Sequence, residues 1–155
     1  MTRQEPHGAA ALTYRNHGMV MRSGPYQLLI ADDDRAFRET LQSVFEPFFD
    51  LIIVESAEEA LAVVEYRPVH IALFDMHMHE MTGLEAIRVL KRMNVEAPCI
   101  LITSDATDQL CADATAANAF SVLKKPVTRR KLVTTVSTAI EVAYEDPDAL
   151  RSKGA

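Results

Sequence analysis

Four short stretches carry side chains that could do chemistry together: Asp32-Asp33-Asp34, Asp75, Thr103-Ser104 and Lys124-Lys125-Pro126. Carboxylates gathered in one place repel by a few kcal/mol per pair at an effective dielectric of about 20, so the cluster needs a cation or raised pKa values. A hard divalent ion answers that need. Mg²⁺ takes oxygen ligands, typically one or two carboxylates with waters and a substrate phosphate, and has little use for imidazole. Mg²⁺, or Mn²⁺ in its place, would be held directly by Asp33 and Asp75 and through water by Asp32. With its field screened, Asp75 becomes a candidate nucleophile toward a phosphoryl donor, a mode of covalent catalysis that yields an aspartyl phosphate. Lys125 would pair with one phosphoryl oxygen and Thr103 would donate a hydrogen bond to another, the electrostatic assistance that phosphoryl transfer asks for.

Such a site requires a fold that collects these residues on one edge. From Tyr26 onward, short apolar runs alternate with longer stretches of helical periodicity, the pattern of βα units and a parallel sheet. The runs are Gln27-Leu-Leu-Ile-Ala31, Leu51-Ile-Ile-Val54, Val69-His-Ile-Ala-Leu-Phe74, Cys99-Ile-Leu-Ile102 and Phe120-Ser-Val-Leu123. Most are continuously hydrophobic rather than alternating, as strands covered by helices on both faces are. Sites in open parallel sheets gather beyond the carboxyl ends of the strands, where the acidic, hydroxyl and lysine stretches follow the first, third, fourth and fifth runs. Taken singly, an Asp after a strand is often only a helix N-cap, and Lys-Pro an ordinary solvated turn. Four matching residue types at the ends of four strands favour a site.

The connecting segments carry helix signals of their own. Ser56-Ala-Glu-Glu59 has capping-box spacing, with Leu61, Val64 and Tyr66 expected on the apolar side before the chain leaves at Pro68. Gly83 to Met93 sets Leu84, Ile87 and Leu90 on one face, and Thr128 can cap a helix with the stripe Leu132, Val136, Ile140 and Ala143. Between Asp105 and Asn118 the chain is rich in alanine and poor in large apolar residues, which predicts that the fourth helix is the least firmly anchored. Residues 1–24, broken by Pro6, Gly8, Gly18 and Gly24, read as a flexible N-terminal tail, 25–145 as one domain and 146–155 as a short polar C-terminal tail with no room for an effector domain.

Composition narrows the functional classes. A chain of 155 residues, 48% hydrophobic and 25% charged, is an ordinary single-domain size and make-up. A net charge of −6 argues against direct nucleic-acid binding, which needs a basic face to release counterions. Cys99 and Cys111 lack metal-site or CxxC spacing and read as buried free thiols. No apolar run approaches the ~18 residues of a membrane span, and a signal peptide is not evident, so a cytoplasmic location is expected.

In order and approximate spacing, Asp32-Asp33, Ala72-Leu-Phe-Asp75, Met81-Thr-Gly83-Leu-Glu85, Thr103-Ser104 and Lys125-Pro126 resemble the response-regulator receiver family, over about Tyr26 to Tyr144. The resemblance implies an α/β fold, a (βα)₅ doubly wound parallel five-stranded sheet of flavodoxin-like order 2-1-3-4-5. It implies that the His77 backbone carbonyl completes the metal shell, that the Lys125–Pro126 bond is cis, and that Thr103 swings toward the phosphate after phosphorylation. Ser104, Val122 and Pro126 would lie in the switch region, next to an output surface on the fourth helix, fifth strand and fifth helix. The implied donor is a histidine kinase or a histidine phosphotransfer protein. Output would then go to a downstream protein or onward along a phosphorelay, from a monomer or a phosphorylation-linked dimer that is not a turnover enzyme.

Some positions depart from the family pattern. His79 stands where Pro is usual, leaving the loop after the acceptor less rigid. Val122 replaces the Tyr or Phe whose rotation accompanies the Thr movement, and Val127 a frequent Phe; a stiff β-branched side chain has no ring to relocate. The resemblance also implies that His77 and Asp105 flank the line of attack, where they should tune the phosphoryl lifetime in a direction the residues leave open. Other readings are weaker. A haloacid-dehalogenase-like phosphatase would want a second Asp two residues after Asp75, where His77 stands. A zinc site at His77-Met-His79-Glu80 lacks further partners, since His70 should lie at the far end of the third strand. A receiver-like module that docks a partner without phosphorylation fits the three departures but not the retained acidic cluster and lysine.

Overall fold

The computed structural model describes residues 25–150. The apolar runs form five strands, β1 Gln27–Ala31, β2 Asp50–Val54, β3 Ile71–Asp75, β4 Cys99–Thr103 and β5 Ser121–Lys124. Between and after them run α1 Arg35–Phe45, α2 Ala57–Val64, α3 Gly83–Arg92, α4 Asp108–Ala116 and α5 Arg129–Tyr144. All strand pairs are parallel, in the expected order β2-β1-β3-β4-β5. Every residue of β3 and β4 is buried, which is why both read as unbroken apolar runs.

Alternate strand residues face opposite sides of the sheet and build two core layers. Leu28, Ile30, Leu73 and Ile100 pack with Leu41 and Phe45 of α1 and with Leu132, Val136 and Ile140 of α5. Leu29, Ala72, Phe74 and Leu101 pack on the other side with Ala60 and Val63 of α2, Leu84, Ile87 and Leu90 of α3, and Ala114 of α4. The register then acts as a staircase toward one edge. Ala31 pairs with Phe74, Asp75 with Ile102 and Thr103 with Lys124, so Asp32, Asp75, Thr103 and Lys125 emerge side by side.

Helix ends follow local chemistry. Ser56, Thr82, Thr107 and Thr128 each accept from the backbone N–H three residues on, satisfying amides that the first helical turn leaves unpaired. After α3 and α4 the chain turns through left-handed Asn94 and Asn118. There the N–H groups of Val95 and Ala119 return to the carbonyls of Leu90 and Ala114, the six-to-one bond of a Schellman stop.

Several expectations need correction. Glu59 does not complete a box on Ser56; its carboxylate accepts from the Glu55 N–H instead. The buried face of α2 is Ala57, Ala60 and Val63, whereas Leu61 and Val64 are half-buried and Tyr66, past the helix end, is 72% exposed. Phe120 lies outside β5 and is exposed, since its strand starts one residue later and runs on to Lys124. Cys99 is buried, but Cys111 on the thinly packed α4 is only half-buried.

The expected N-terminal tail, 1–24, lies outside the described residues, as do 151–155. Of the C-terminal stretch, 146–150 are described: Glu145 turns the chain at φ 54°, Asp146 and Ala149 are buried, and the Tyr26 hydroxyl donates to Asp146 Oδ2 at 2.6 Å. His70 sits one residue before β3, at the edge opposite the acidic residues, where its carbonyl accepts from the Tyr144 hydroxyl at 2.7 Å. Among the described residues, no helix is long and apolar enough to cross a membrane.

Candidate functional site

The chain leaving β1 supplies three carboxylates with different roles. Asp34 is the N-cap of α1, its Oδ1 accepting from the N–H of Ala36 at 3.0 Å, a role masked in the sequence by its acidic neighbours. Asp32 is turned inward and only 1% exposed, with Oδ1 accepting from the Asp34 N–H at 2.8 Å. Its Oδ2 is buried without a hydrogen-bond partner among the described residues. The Lys125 ammonium, 3.9 Å from Oδ2, is in ion-pair range but beyond hydrogen-bond reach. Burial pushes the Asp32 carboxyl up from 3.8 to about 6; the Asp75 charge adds to the rise, while the Asp34 N–H and Lys125 oppose it. Asp33 is exposed.

Asp75, at the carboxyl end of β3, is 6% exposed and fixed on both oxygens. Oδ1 meets Lys125 Nζ at 2.8 Å, and Oδ2 accepts from the His77 N–H at 3.1 Å. One oxygen from each of Asp32, Asp33 and Asp75 falls within 4.8 Å of the others. This set fits a divalent cation on its own evidence: a buried oxygen without a hydrogen-bond partner, on a carboxyl that resists ionisation despite Lys125 at 3.9 Å, would be relieved by a cation bound between the three aspartates.

The backbone behind Asp75 is held by α3. Its first residue, Gly83, donates to the Met76 carbonyl at 3.0 Å, and a Cβ there would meet the Asp75 carbonyl oxygen at 2.4 Å. Only glycine admits that approach. Thr82 and Glu85 form a complete capping box that stiffens the same turn. On the other flank, Thr103 is fully buried, its hydroxyl accepting from the Asp105 N–H at 3.1 Å, while its carbonyl accepts from the Lys125 N–H at 2.7 Å. The Lys125–Pro126 peptide bond is cis.

The structure therefore brings Asp32, Asp33, Asp75 and Lys125 together, with Thr103 on the next strand. His77, His79, Ser104, Asp105 and Pro126 are exposed around the rim, and Val122 is half-buried on β5. Among the described residues only the three aspartates form a group able to hold a metal, so the His77-Met-His79-Glu80 zinc reading finds no support. Two site neighbours escaped the sequence reading. The Arg38 guanidinium donates to the Asp32 carbonyl at 2.8 Å, and the Phe37 ring lies under Lys125, with Nζ 4.3 Å from its centroid. The apolar spacing Phe37, Leu41, Val44, Phe45 could have revealed α1, but not the meeting of Phe37 with the lysine that follows β5.

The family model described as response regulator receiver domain matches residues 28–137. The chain belongs to that family. It is accordingly a receiver domain of two-component response regulators. Other receivers share its sequence at modest identity. It is 26% identical over 136 residues to the transcriptional regulatory protein ZraR of Salmonella typhimurium, covering 87% of this chain and 31% of that one. It is 34% identical over 100 residues to the response regulator receiver protein Anae109_2439 of Anaeromyxobacter, covering 64% of this chain and 42% of that one. The chain thus spans less than half the length of either relative. A CheY-like receiver domain from Methanospirillum hungatei superposes with a TM-score of 0.74 at 24% identity, over 78% of this chain and 98% of that one, and shares the fold.

Proposed function

We propose that this receiver takes a phosphoryl group on Asp75 from a phosphohistidine side chain of a histidine kinase or phosphotransfer protein. The observation that carries the proposal is the close meeting of Asp75 with Lys125 beside two further aspartates, one of them buried with an unpartnered oxygen. Asp32, Asp33 and Asp75, with the His77 backbone carbonyl, are the groups that would hold Mg²⁺ or Mn²⁺. When bound, that ion supplies charge neutralisation for the carboxylates and the incoming phosphoryl oxygens.

The remaining work falls to side chains. An Asp75 carboxylate oxygen forms the new O–P bond as the donor N–P bond breaks, and the imidazole leaves with the electron pair. Lys125 exchanges part of its pairing with Asp75 for a phosphoryl oxygen, and the Thr103 hydroxyl, which already has a backbone donor in Asp105, turns its own proton to another. His77 and Asp105, exposed beside the acceptor, set the access of water to the phosphoryl group. Output follows from small movements around Ser104, Val122 and Pro126 that bias α4 and the adjoining face toward a partner-binding arrangement. Val122 offers no ring to transmit the change, so the loop after β4 carries it.

The test is incubation with Mg²⁺ and a small-molecule phosphodonor, read by intact mass for one added phosphoryl group that Asp75→Ala abolishes. A wild-type chain that stays unmodified with several donors and with a phosphorylated histidine partner would instead establish a docking module.

A further inference from the structure

Lys125 is a long, flexible cation at a point where small displacements matter. Its side chain is 23% exposed, so water competes for it, and a lysine stem has four rotatable bonds with which to leave. In the unmodified site it is held by Asp75 at 2.8 Å, with Asp32 at 3.9 Å contributing charge but no hydrogen bond. Phosphoryl transfer weakens the first of these contacts, because the attacking carboxylate gives up charge to the new bond. The ammonium must then pass from the carboxylate to a phosphoryl oxygen, and a contact that stays unchanged during the exchange would keep it at the rim.

The Phe37 ring, half-buried in the first turn of α1 and packed on the core beside it, faces Nζ at 4.3 Å from its centroid. A ring face attracts a cation through its quadrupole and accepts no proton. It therefore fixes where the ammonium sits without neutralising it, which a carboxylate in the same position would do. The ring takes no part in the bond changes, and its place is set by α1, whose first turn is capped by Asp34, and by the core it packs on.

We propose that Phe37 is a positioning residue for phosphoryl transfer, its ring holding Lys125 beside Asp75 as the charge on Asp75 changes. The proposal rests on the phosphoacceptor reading above. The bond changes are those already given, O–P formed and the donor bond to phosphorus broken, and Lys125 keeps its protons throughout.

The test follows the rate at which the full chain gains one phosphoryl mass from acetyl phosphate in Mg²⁺. Phenylalanines carrying one, two and three ring fluorines at position 37 drain the ring face stepwise at nearly constant shape. The rate should fall at each step, to between about a third and a tenth of wild type for the trifluoro ring, the span a part-buried cation–π contact corresponds to. In a Lys125→Met background the gradient should vanish. Phe37→Leu should match the trifluoro ring, and Phe37→Tyr should recover most of that loss.

A flat fluorine series overturns the proposal while leaving Asp75 as acceptor. A loss confined to a phosphohistidine donor, absent with acetyl phosphate, overturns it too, by assigning Phe37 to partner docking. A wild-type chain that gains no mass at all strikes the phosphoacceptor reading itself.

Discussion

Helices α3 and α4 cover the same face of the sheet, yet they are held very differently. The first buries Gly83, Leu84, Ala86, Ile87 and Leu90, starts with a reciprocal capping box, and touches the acceptor through the Asp75 carbonyl. The second buries Ala114 alone and starts with a single hydroxyl cap. Asp75 is thus clamped from the α3 side, while α4 on the same face is held by little core. Under the proposed function, rigid geometry at Asp75 and low local stability at α4 would both be useful in a switch, and core volume segregates them here.

Core truncation gives the largest test of that contrast. Leu90→Ala should cost about 3 kcal/mol, whereas Leu110→Ala, half-buried on α4, should cost less than about 1 kcal/mol, measured by urea unfolding. Equal losses would erase the distinction, as would amide exchange that is no faster in α4 than in α3. Next comes Gly83→Ala. Alanine in a helix normally gains up to about 1 kcal/mol over glycine, but the approach to the Asp75 carbonyl should reverse the sign to a loss of about 2 kcal/mol. A neutral result would mean that α3 does not clamp the acceptor.

The clamped side also stores electrostatic cost, and the sign of its pH dependence is fixed. The Asp32 carboxyl is raised from 3.8 to about 6, so between those values the native protein binds more protons than the unfolded chain. The Asp32 contribution to the stability of the metal-free protein should therefore be fully present below the lower value and be lost as pH rises through the upper, by about 1–2 kcal/mol after allowance for solvent screening. Mg²⁺ should restore it, with a larger gain in melting temperature at about pH 7.5 than at about pH 4. Asp32→Asn should flatten the metal-free pH curve; an unchanged slope would mean another group is responsible. The smallest effect belongs to the loop leading into α3, where Glu80 has φ 70°. Glu80→Gly should gain about 0.5 kcal/mol by removing left-handed strain, read as a raised urea midpoint.

How much of this was legible depended on range. Strands β1 and β4 and the faces of α3 and α5 followed from local pattern, because a strand buried on both sides must be apolar throughout and a helix with one buried stripe must show its period. The meeting of Asp32, Asp33, Asp75 and Lys125 was legible too, because parallel strands deliver their carboxyl ends to one edge. Tyr66 misled because a helical period was extended past the point where α2 stops. Asp34 as a cap, the burial of one Asp32 oxygen, the Gly83 contact and the Phe37 ring all depend on how separate elements pack, which no spacing along the chain encodes.

The chain has two cysteines, and their surroundings make them unequal reagents. Cys99 is sealed within β4 and its thiol is pushed up to about 11 by burial, which keeps it from alkylating agents in the folded protein. Cys111 stands half-open on α4. A maleimide dye or nitroxide spin label added to the unaltered protein should therefore attach at a single place among the two cysteines, on the thinly packed helix proposed above to respond to phosphorylation, giving a spectroscopic reporter without mutagenesis.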